Sequence, residues 1–462
     1  MLNVVILAAG LGTRMQSNIP KVLHNLAGRP MLGYVLDSAL ALKPTTITIV
    51  VGRESGQIKS FIRNFSKNIN VVIQSEQLGT GHAFKQSIPN LLDCLDDHSS
   101  TLVLYGDVPL VRTATMDRLL KSCKNGLSIL TSFLDDPNGY GRIIRDHNGC
   151  IKKIVEHKDA NNVELNIKEI NTGIIAAPTS MLIRWISKLT NNNMQGEYYL
   201  TDIVDMAVSE GIFVDSRFPD DYWEILGINN HIQQVKLERI WQEEQARIIM
   251  DTGVTLADYK RIDIRGSLKC SKDIFIDVGC IFEGNVQLGS NVRVGPYCVL
   301  KDVSIADNVI IEAYSHLSNV TLDKGVKVGP FSRLCKGVHI GSNSKIGNFV
   351  EIKNSIFGEN SKANHLTYIG DSRIGSNVNI GAGTITCNYD GLNKHQTIIE
   401  DNAFIGSSSQ LVAPVKVGAG ATLGAGTTLT SDAPADQLTL SRKRQCSIAN
   451  WKRPGRDVLK GS

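Results

Sequence analysis

An aliphatic residue returns at every sixth position through much of the C-terminal half of this chain. Ile276, Phe282, Leu288, Val294 and Leu300 share one register, Leu322, Val328, Leu334, Ile340, Ile346 and Ile352 a second, and Ile405, Leu411, Val417, Leu423 and Leu429 a third. A period of six fits neither a helix nor an alternating strand. It fits a parallel β-helix, in which each hexad is one short strand and three hexads close one triangular coil. Stacking coils at the inter-strand spacing of about 4.8 Å buries a continuous aliphatic column with little need for rings. The composition agrees, with 41 glycines and only 6% aromatic residues in 462. Breaks in register at 302–305, 353–373 and 386–404 predict loops that leave the prism.

The N-terminal half reads differently. Val4–Leu7, Thr46–Val51, Asn70–Ile73, Thr101–Leu104 and Gly173–Ala176 are short apolar runs separated by helical stretches, which predicts an α/β domain with a mostly parallel, Rossmann-like sheet. Asn230 with Gln233 three residues on predicts a capping box, and the run to Met250 with Gly253 beyond it predicts one long exit helix. The expected organisation is therefore a first domain over 1–229, a linker helix over 230–250, the β-helix over 251–437 and a tail over 438–462.

No apolar run approaches the roughly 18 residues of a membrane helix. The N-terminus also lacks the basic segment of a signal peptide, so a cytoplasmic protein is expected. Nine cysteines without CxxC or Cys/His spacing predict reduced thiols, with neither disulfides nor structural zinc. The net charge of +4 is unevenly placed: residues 438–462 hold seven Lys/Arg against one Asp, so the rest of the chain is slightly acidic. Such a tail, without interleaved aromatics, suits a small polyanion, or plain solvated charge, better than a nucleic acid.

After the first strand comes Leu7-Ala8-Ala9-Gly10-Leu11-Gly12-Thr13-Arg14-Met15, followed by Pro20-Lys21. A glycine turn after a strand lets backbone N–H groups approach phosphate oxygens, and Arg14 and Lys21 supply cations for a polyphosphate. This is neither the GxGxxG nor the GxxxxGK[ST] pattern, and it resembles the signature of sugar-nucleotide pyrophosphorylases. Gln74–Ala83, Tyr105-Gly106-Asp107, Gly139–Arg142, Ile154–Glu156, Glu169–Gly173 and Gly227–Asn230 follow in that family's order. With the hexapeptide half, the chain resembles the bacterial family of bifunctional N-acetylglucosamine-1-phosphate uridylyltransferases and glucosamine-1-phosphate N-acetyltransferases over nearly its whole length. The resemblance also implies a left-handed sense for the β-helix.

For the N-terminal site, the resemblance implies that Leu7, Ala8, Ala9, Gly10, Lys21, Gln74, Gly79, Thr80, Tyr105 and Gly106 surround the uridine nucleotide. It places Gly141, Glu156 and Asn171 on the N-acetylhexosamine, and makes Asp107 and Asn229 the ligands of Mg²⁺. The chemistry asks for such groups independently. Attacking sugar phosphate and nucleotide α-phosphate are both anionic, so a divalent cation, Arg14 and Lys21 must offset their repulsion and the charge of departing pyrophosphate.

In the C-terminal half, His365 interrupts the hexads within Lys362–Gly370, and Asn379–Gly391 reads NIGAGTITCNYDG. An amine attacking a thioester must lose a proton, and a neutral imidazole, with an unperturbed pKa of about 6.5, suits that task. The resemblance makes His365 the general base. It assigns Lys353 and Tyr368 to the sugar phosphate and Ala382, Ser407, Ala425 and Arg442 to the acetyl-CoA groove, with Asn379, Asn388 and Tyr389 assignable to either. One position departs from the family: Cys335 stands where an Arg is usual. Counting hexads, residues 335 and 353 fall one full coil apart on one face, so the missing Arg would have shared a phosphate with Lys353; Arg333 and Lys336 are the candidates to replace it.

The resemblance thus implies acetyl transfer from acetyl-CoA to glucosamine 1-phosphate, then uridylyl transfer from UTP, yielding UDP-N-acetylglucosamine for peptidoglycan and lipopolysaccharide. It implies small-molecule partners, no nucleic acid or membrane insertion, and a homotrimer. Two alternatives stand beside it. A nucleotidyltransferase whose β-helix only assembles subunits is opposed by His365, the long Asn379–Gly391 segment and the basic tail. A non-catalytic scaffold is opposed by Arg14, Lys21, Asp107 and Asn229.

Overall fold

The computed structural model describes Met1 to Trp451 apart from positions 11, 54, 64, 66–68, 125 and 442–444. The chain divides into two compact units, Met1–Gln242 and Glu243–Ser462. The division falls inside the long helix, whereas the sequence placed that helix between the two domains as a separate linker.

The first unit is built on strands β1 (Leu2–Ala8), β2 (Thr46–Val51), β3 (Ile69–Ile73), β4 (Ser100–Tyr105), β5 (Leu127–Phe133), β6 (Arg142–Arg145), β7 (Ile151–Val155), β8 (Glu169–Pro178) and β9 (Val214–Arg217). They run in the order β9-β5-β8-β4-β1-β2-β3, with β6 and β7 as a hairpin beside β8. β8 is antiparallel to both β4 and β5, and the other neighbours along that path are parallel. β1 shows why: its alternate residues feed two cores. Val4, Ile6 and Ala8 join one cluster, while Val5, Leu7 and Ala9 join another, as a strand buried on both faces requires. The chain moves outward from β1 through β2 to β3 and then returns to the other side of β1 as β4. That reversal opens a crevice at the carboxyl ends of β1 and β4, the usual place for a ligand in such a sheet.

Helices relevant to the site are α1 (Thr80–Lys85) and α2 (His231–Asp251). The start of α2 is half of the expected capping box. Asn230 Oδ1 accepts from Gln233 N at 2.9 Å, but the Gln233 side chain reaches one residue further back and accepts from Asn229 N at 2.7 Å. The helix ends at Gly253, where φ is +98°. Gly253 N donates to Met250 O and Val254 N to Ile249 O, the paired bonds of a Schellman end.

In the second unit a single stack of parallel strands runs from Thr255 to Thr439. All sixteen residues of the three registers are buried in one aliphatic column. Coils are eighteen residues long where hexads are unbroken, as at Phe282 beside Leu300. Two of the expected loops are absent. At 302–305 and 353–373 the chain stays in the prism and drops one residue at a corner, so Leu300 pairs Leu317 and Ile352 pairs Ile369 at a spacing of seventeen. Asp302, Asn354 and Asp371 turn those shortened corners with φ of +48° to +50°, and Asn319 turns the same corner one coil after Asp302 with φ +56°, a conformation Asn and Asp tolerate better than other side chains. The third loop is present: Ile380 pairs Ile405, twenty-five residues on. Asp390 pins it by accepting from Leu392 N and Asn393 N and pairing with His395 at 2.7 Å. These bonds hold its carboxyl well below the usual range.

The nine cysteines are free thiols. No helix among the described residues is long and apolar enough to cross a membrane.

Candidate active sites

The crevice at the ends of β1 and β4 is a cavity of about 290 Å³ lined by Leu7, Ala8, Ala9, Gly10, Lys21, Gln74, Gly79, Thr80, Tyr105 and Asp107, among others. Two glycines are required by contact. Gly12 has φ +62°, and a Cβ there would lie 2.7 Å from Lys21 Cβ, so only glycine lets this loop cross the lysine stem. Gly79 has φ +100°, and a Cβ would lie 2.6 Å from Tyr198 O. That approach allows Gly81 N to donate to Tyr198 O and Tyr198 N to Leu78 O, both at 2.8 Å. Gly106 leaves room for Val22 and Ala8.

Four distant segments meet at the mouth of this cavity. The Lys21 ammonium pairs with the Asp107 carboxylate and donates to Asn229 Oδ1 at 3.1 Å; Arg14 Nη2 donates to the same Oδ1 at 3.0 Å. Ile228 N donates to Asp107 O at 3.0 Å, and Gln233 holds the Asn229 amide as described. A carboxylate and an amide oxygen therefore converge on one cationic position. This donor set suits a hard cation such as Mg²⁺, which commonly takes one or two protein oxygens and completes its shell with phosphate and water. No group of three or more His, Cys, Asp or Glu side chains that could hold a metal is present among the described residues, so a cation here would need such ligand oxygens.

Gly141, Glu156 and Asn171 also come together. Asn171 N donates to Gly141 O at 2.8 Å, and a Cβ on Gly141 would lie 3.5 Å from Glu156 Oε2. Glu156 accepts from Thr201 Oγ1 at 2.9 Å. Burial, helped by nearby Asp159 and Glu197, raises its carboxyl above the usual range, and burial with Glu156 beside it pushes Asp202 up to about 6. The Tyr105 ring packs on Gly173, and burial raises its phenol.

On the β-helix, His365 is exposed on the strand Lys362–Gly370. It lies in register with Asn348 one coil earlier, and its Nδ1 bonds to Asn348 Oδ1 at 2.8 Å. An amide oxygen can only accept, so Nδ1 carries a hydrogen, and in the neutral ring the lone pair is then on Nε2. Three residues along the same strand, Tyr368 and Asn388 close over Gly370, where a Cβ would collide with both side chains. Asn388 donates to Asp371, and Lys353 pairs in register with Gly370. Tyr368 and Asn388 thus meet over the residue that pairs in register with Lys353. Asn379 lies on the next rung, beside Lys362, and Tyr389 is exposed at the base of the inserted loop.

Ala382, Ser407 and Ala425 fall in one column. Ser408 N donates to Ala382 O and Gly426 N to Ser407 O, rung by rung, and Gly383 N donates to Leu366 O on the His365 strand. The column therefore continues from His365. Arg442 lies outside the described residues.

Comparison with known proteins places this chain in one family. Residues 4–155 match the MobA-like NTP transferase domain, residues 319–354 the bacterial transferase hexapeptide (six repeats), and residues 396–431 the hexapeptide repeat of succinyl-transferase. The Bifunctional protein GlmU of Bordetella parapertussis is 57% identical over 454 residues, covering 98% of this chain and 99% of that protein. Those of Herminiimonas arsenicoxydans and Ralstonia nicotianae are 54% and 52% identical over 98% of this chain, covering 99% and 98% of their own lengths. The chain belongs to the GlmU family.

Several residues around the two candidate sites are not legible in the sequence. Gln77 Nε2 donates to Ala9 O at 2.7 Å, and Thr201 holds Glu156; Gln77 lies inside the Gln74–Ala83 motif without a role assigned to it, and Thr201 stands in no pattern that marks it. Asn348 was findable, because it sits seventeen residues before His365, one shortened coil. Of the two candidates to replace the family's Arg, Arg333 is engaged: its Nη1 pairs with Glu351 Oε1 at 3.0 Å. Cys335 does pair in register with Lys353, as the hexad count requires.

Proposed function

We propose that this chain makes UDP-N-acetylglucosamine in two steps at two separate sites. The observation that carries the reading is that one chain holds both an Arg14–Lys21–Asp107–Asn229 cluster at a nucleotide-sized cavity and a tautomer-fixed His365 on a hexapeptide β-helix. On the β-helix, the amine of glucosamine 1-phosphate attacks the acetyl-CoA carbonyl. The N–C bond forms, His365 Nε2 takes the proton, and the C–S bond breaks to release coenzyme A. Lys353, Tyr368 and Asn388 bind the sugar phosphate, while the column through Ala382, Ser407 and Ala425 carries the pantetheine.

In the first unit, a phosphate oxygen of N-acetylglucosamine 1-phosphate displaces pyrophosphate from the UTP α-phosphorus. Gly141, Glu156 and Asn171 hold the sugar and Gln74 the uracil. Asp107 and Asn229 would hold Mg²⁺, which supplies charge neutralisation between the phosphates. Arg14 and Lys21 keep fixed positive charge on the departing pyrophosphate. The protein works in the cytoplasm, where these substrates are made, and as a trimer through the flat faces of its prism. Incubating the full chain with glucosamine 1-phosphate, acetyl-CoA, UTP and Mg²⁺ should release both free coenzyme A and UDP-N-acetylglucosamine. Formation of UDP-N-acetylglucosamine only from supplied N-acetylglucosamine 1-phosphate would reduce the β-helix to a scaffold.

Because Arg333 is paired with Glu351, Cys335→Arg is expected to lower the KM for glucosamine 1-phosphate by up to about tenfold, the effect of one charge-assisted bond to phosphate. Steady-state acetylation kinetics check this. A KM that stays level or rises in Cys335→Arg would mean that Lys336, or no second cation, serves the subsite.

A further inference from the structure

Gln74 is 4% exposed, and its carboxamide is held from behind by a residue that lies outside the nucleotide cavity. Its Nε2 is 3.1 Å from Gly79 O and 3.1 Å from His82 Nδ1. The Gly79 carbonyl fixes which end of the amide is nitrogen, since an oxygen there would face another oxygen. His82 Nδ1 must then accept, which requires the neutral ring with its hydrogen on Nε2. Gln86 Nε2 lies 3.3 Å from His82 Nε2 and 3.1 Å from His82 O, so two amide nitrogens face the two nitrogens of one ring. A neutral imidazole accepts at only one of them. Gln86 is half-exposed and can turn its amide toward water, whereas buried Gln74 cannot, so the acceptor goes to Gln74.

With both amide hydrogens of Gln74 so occupied, only its Oε1 can serve a ligand, and an oxygen acceptor matches the N3–H of uracil. Cytosine offers a lone pair at N3 and is repelled. His82 itself lines a separate pocket with Leu78, Lys85, Leu189 and Tyr198. We infer that His82 is a positioning residue that locks the Gln74 carboxamide and thereby sets the preference for a uracil over a cytosine nucleotide. This rests on Gln74 facing the base, as proposed above.

The test compares UTP with CTP in the uridylyl-transfer assay of the full chain. His82→Phe keeps a ring against Tyr198 and removes the acceptor; it should raise the KM for UTP about tenfold, with the loss carried by KM, and lower the UTP/CTP ratio of kcat/KM about tenfold. His82→Asn, which restores an acceptor on the same branch, should recover most of both. Gln74→Ala separates the two readings. If Gln74→Ala lowers the ratio but His82→Phe does not, Gln74 reads the base without His82 and the inference is wrong. If Gln74→Ala leaves the ratio unchanged, the assignment of Gln74 to the base fails and the inference with it. A fall in kcat for both nucleotides at constant ratio, unrescued by His82→Asn, would reduce His82 to packing.

Discussion

Asp107→Ala is expected to abolish uridylyl transfer, by more than about a thousandfold, while acetyl transfer stays nearly intact. Asp107 is the carboxylate in the cluster that joins Lys21, Arg14 and Asn229, and a metal-supported charge clamp is worth several kcal/mol of barrier. Its removal leaves Asn229 Oδ1 as the one cluster oxygen for a cation. It also frees the Lys21 ammonium, which then rests on Asn229 alone. Separate assays for pyrophosphate and for free coenzyme A measure the two activities in one preparation. A parallel loss of coenzyme A release from a folded variant would sink the assignment of the activities to separate units. Asp107→Asn keeps an oxygen but removes the cluster's one negative charge, and should fall between the unsubstituted chain and Asp107→Ala.

Much of this architecture was legible because its causes are local and periodic. Burial of the six-residue register follows from one residue per hexad pointing inward, and no tertiary information is needed to see it. In the sequence the shortened corners at Asp302, Asn354 and Asp371 look like loops, because a dropped residue and an inserted segment both break the count. What distinguishes them is left-handed backbone at a single Asn or Asp, against seven added residues between Thr386 and Ile399 that need Asp390 to fold them. The direction of β8 was not legible, since an apolar run carries no sign of whether it pairs parallel or antiparallel. In the sites, motif residues were visible, but the groups that hold them were not. From the sequence Gln233 reads as a cap of α2, whereas in the structure it also holds Asn229, and His82 reads only as part of the Gln74–Ala83 motif.

His365→Ala should do the reverse of Asp107→Ala, lowering acetyl transfer by about 10²–10⁴-fold, the range for a lost general base, and sparing uridylylation of supplied N-acetylglucosamine 1-phosphate. The structure adds a graded companion. Asn348 Oδ1 holds the hydrogen on Nδ1, so Asn348→Ala leaves the imidazole in place and lets it exchange tautomers and rotate. The base then presents its Nε2 lone pair for only part of the time, and the loss should be smaller, about tenfold, and carried by kcat. Unchanged acetylation near neutral pH in His365→Ala would remove the imidazole from the mechanism. A kcat loss in Asn348→Ala as deep as that in His365→Ala would instead show that Asn348 touches the substrate itself.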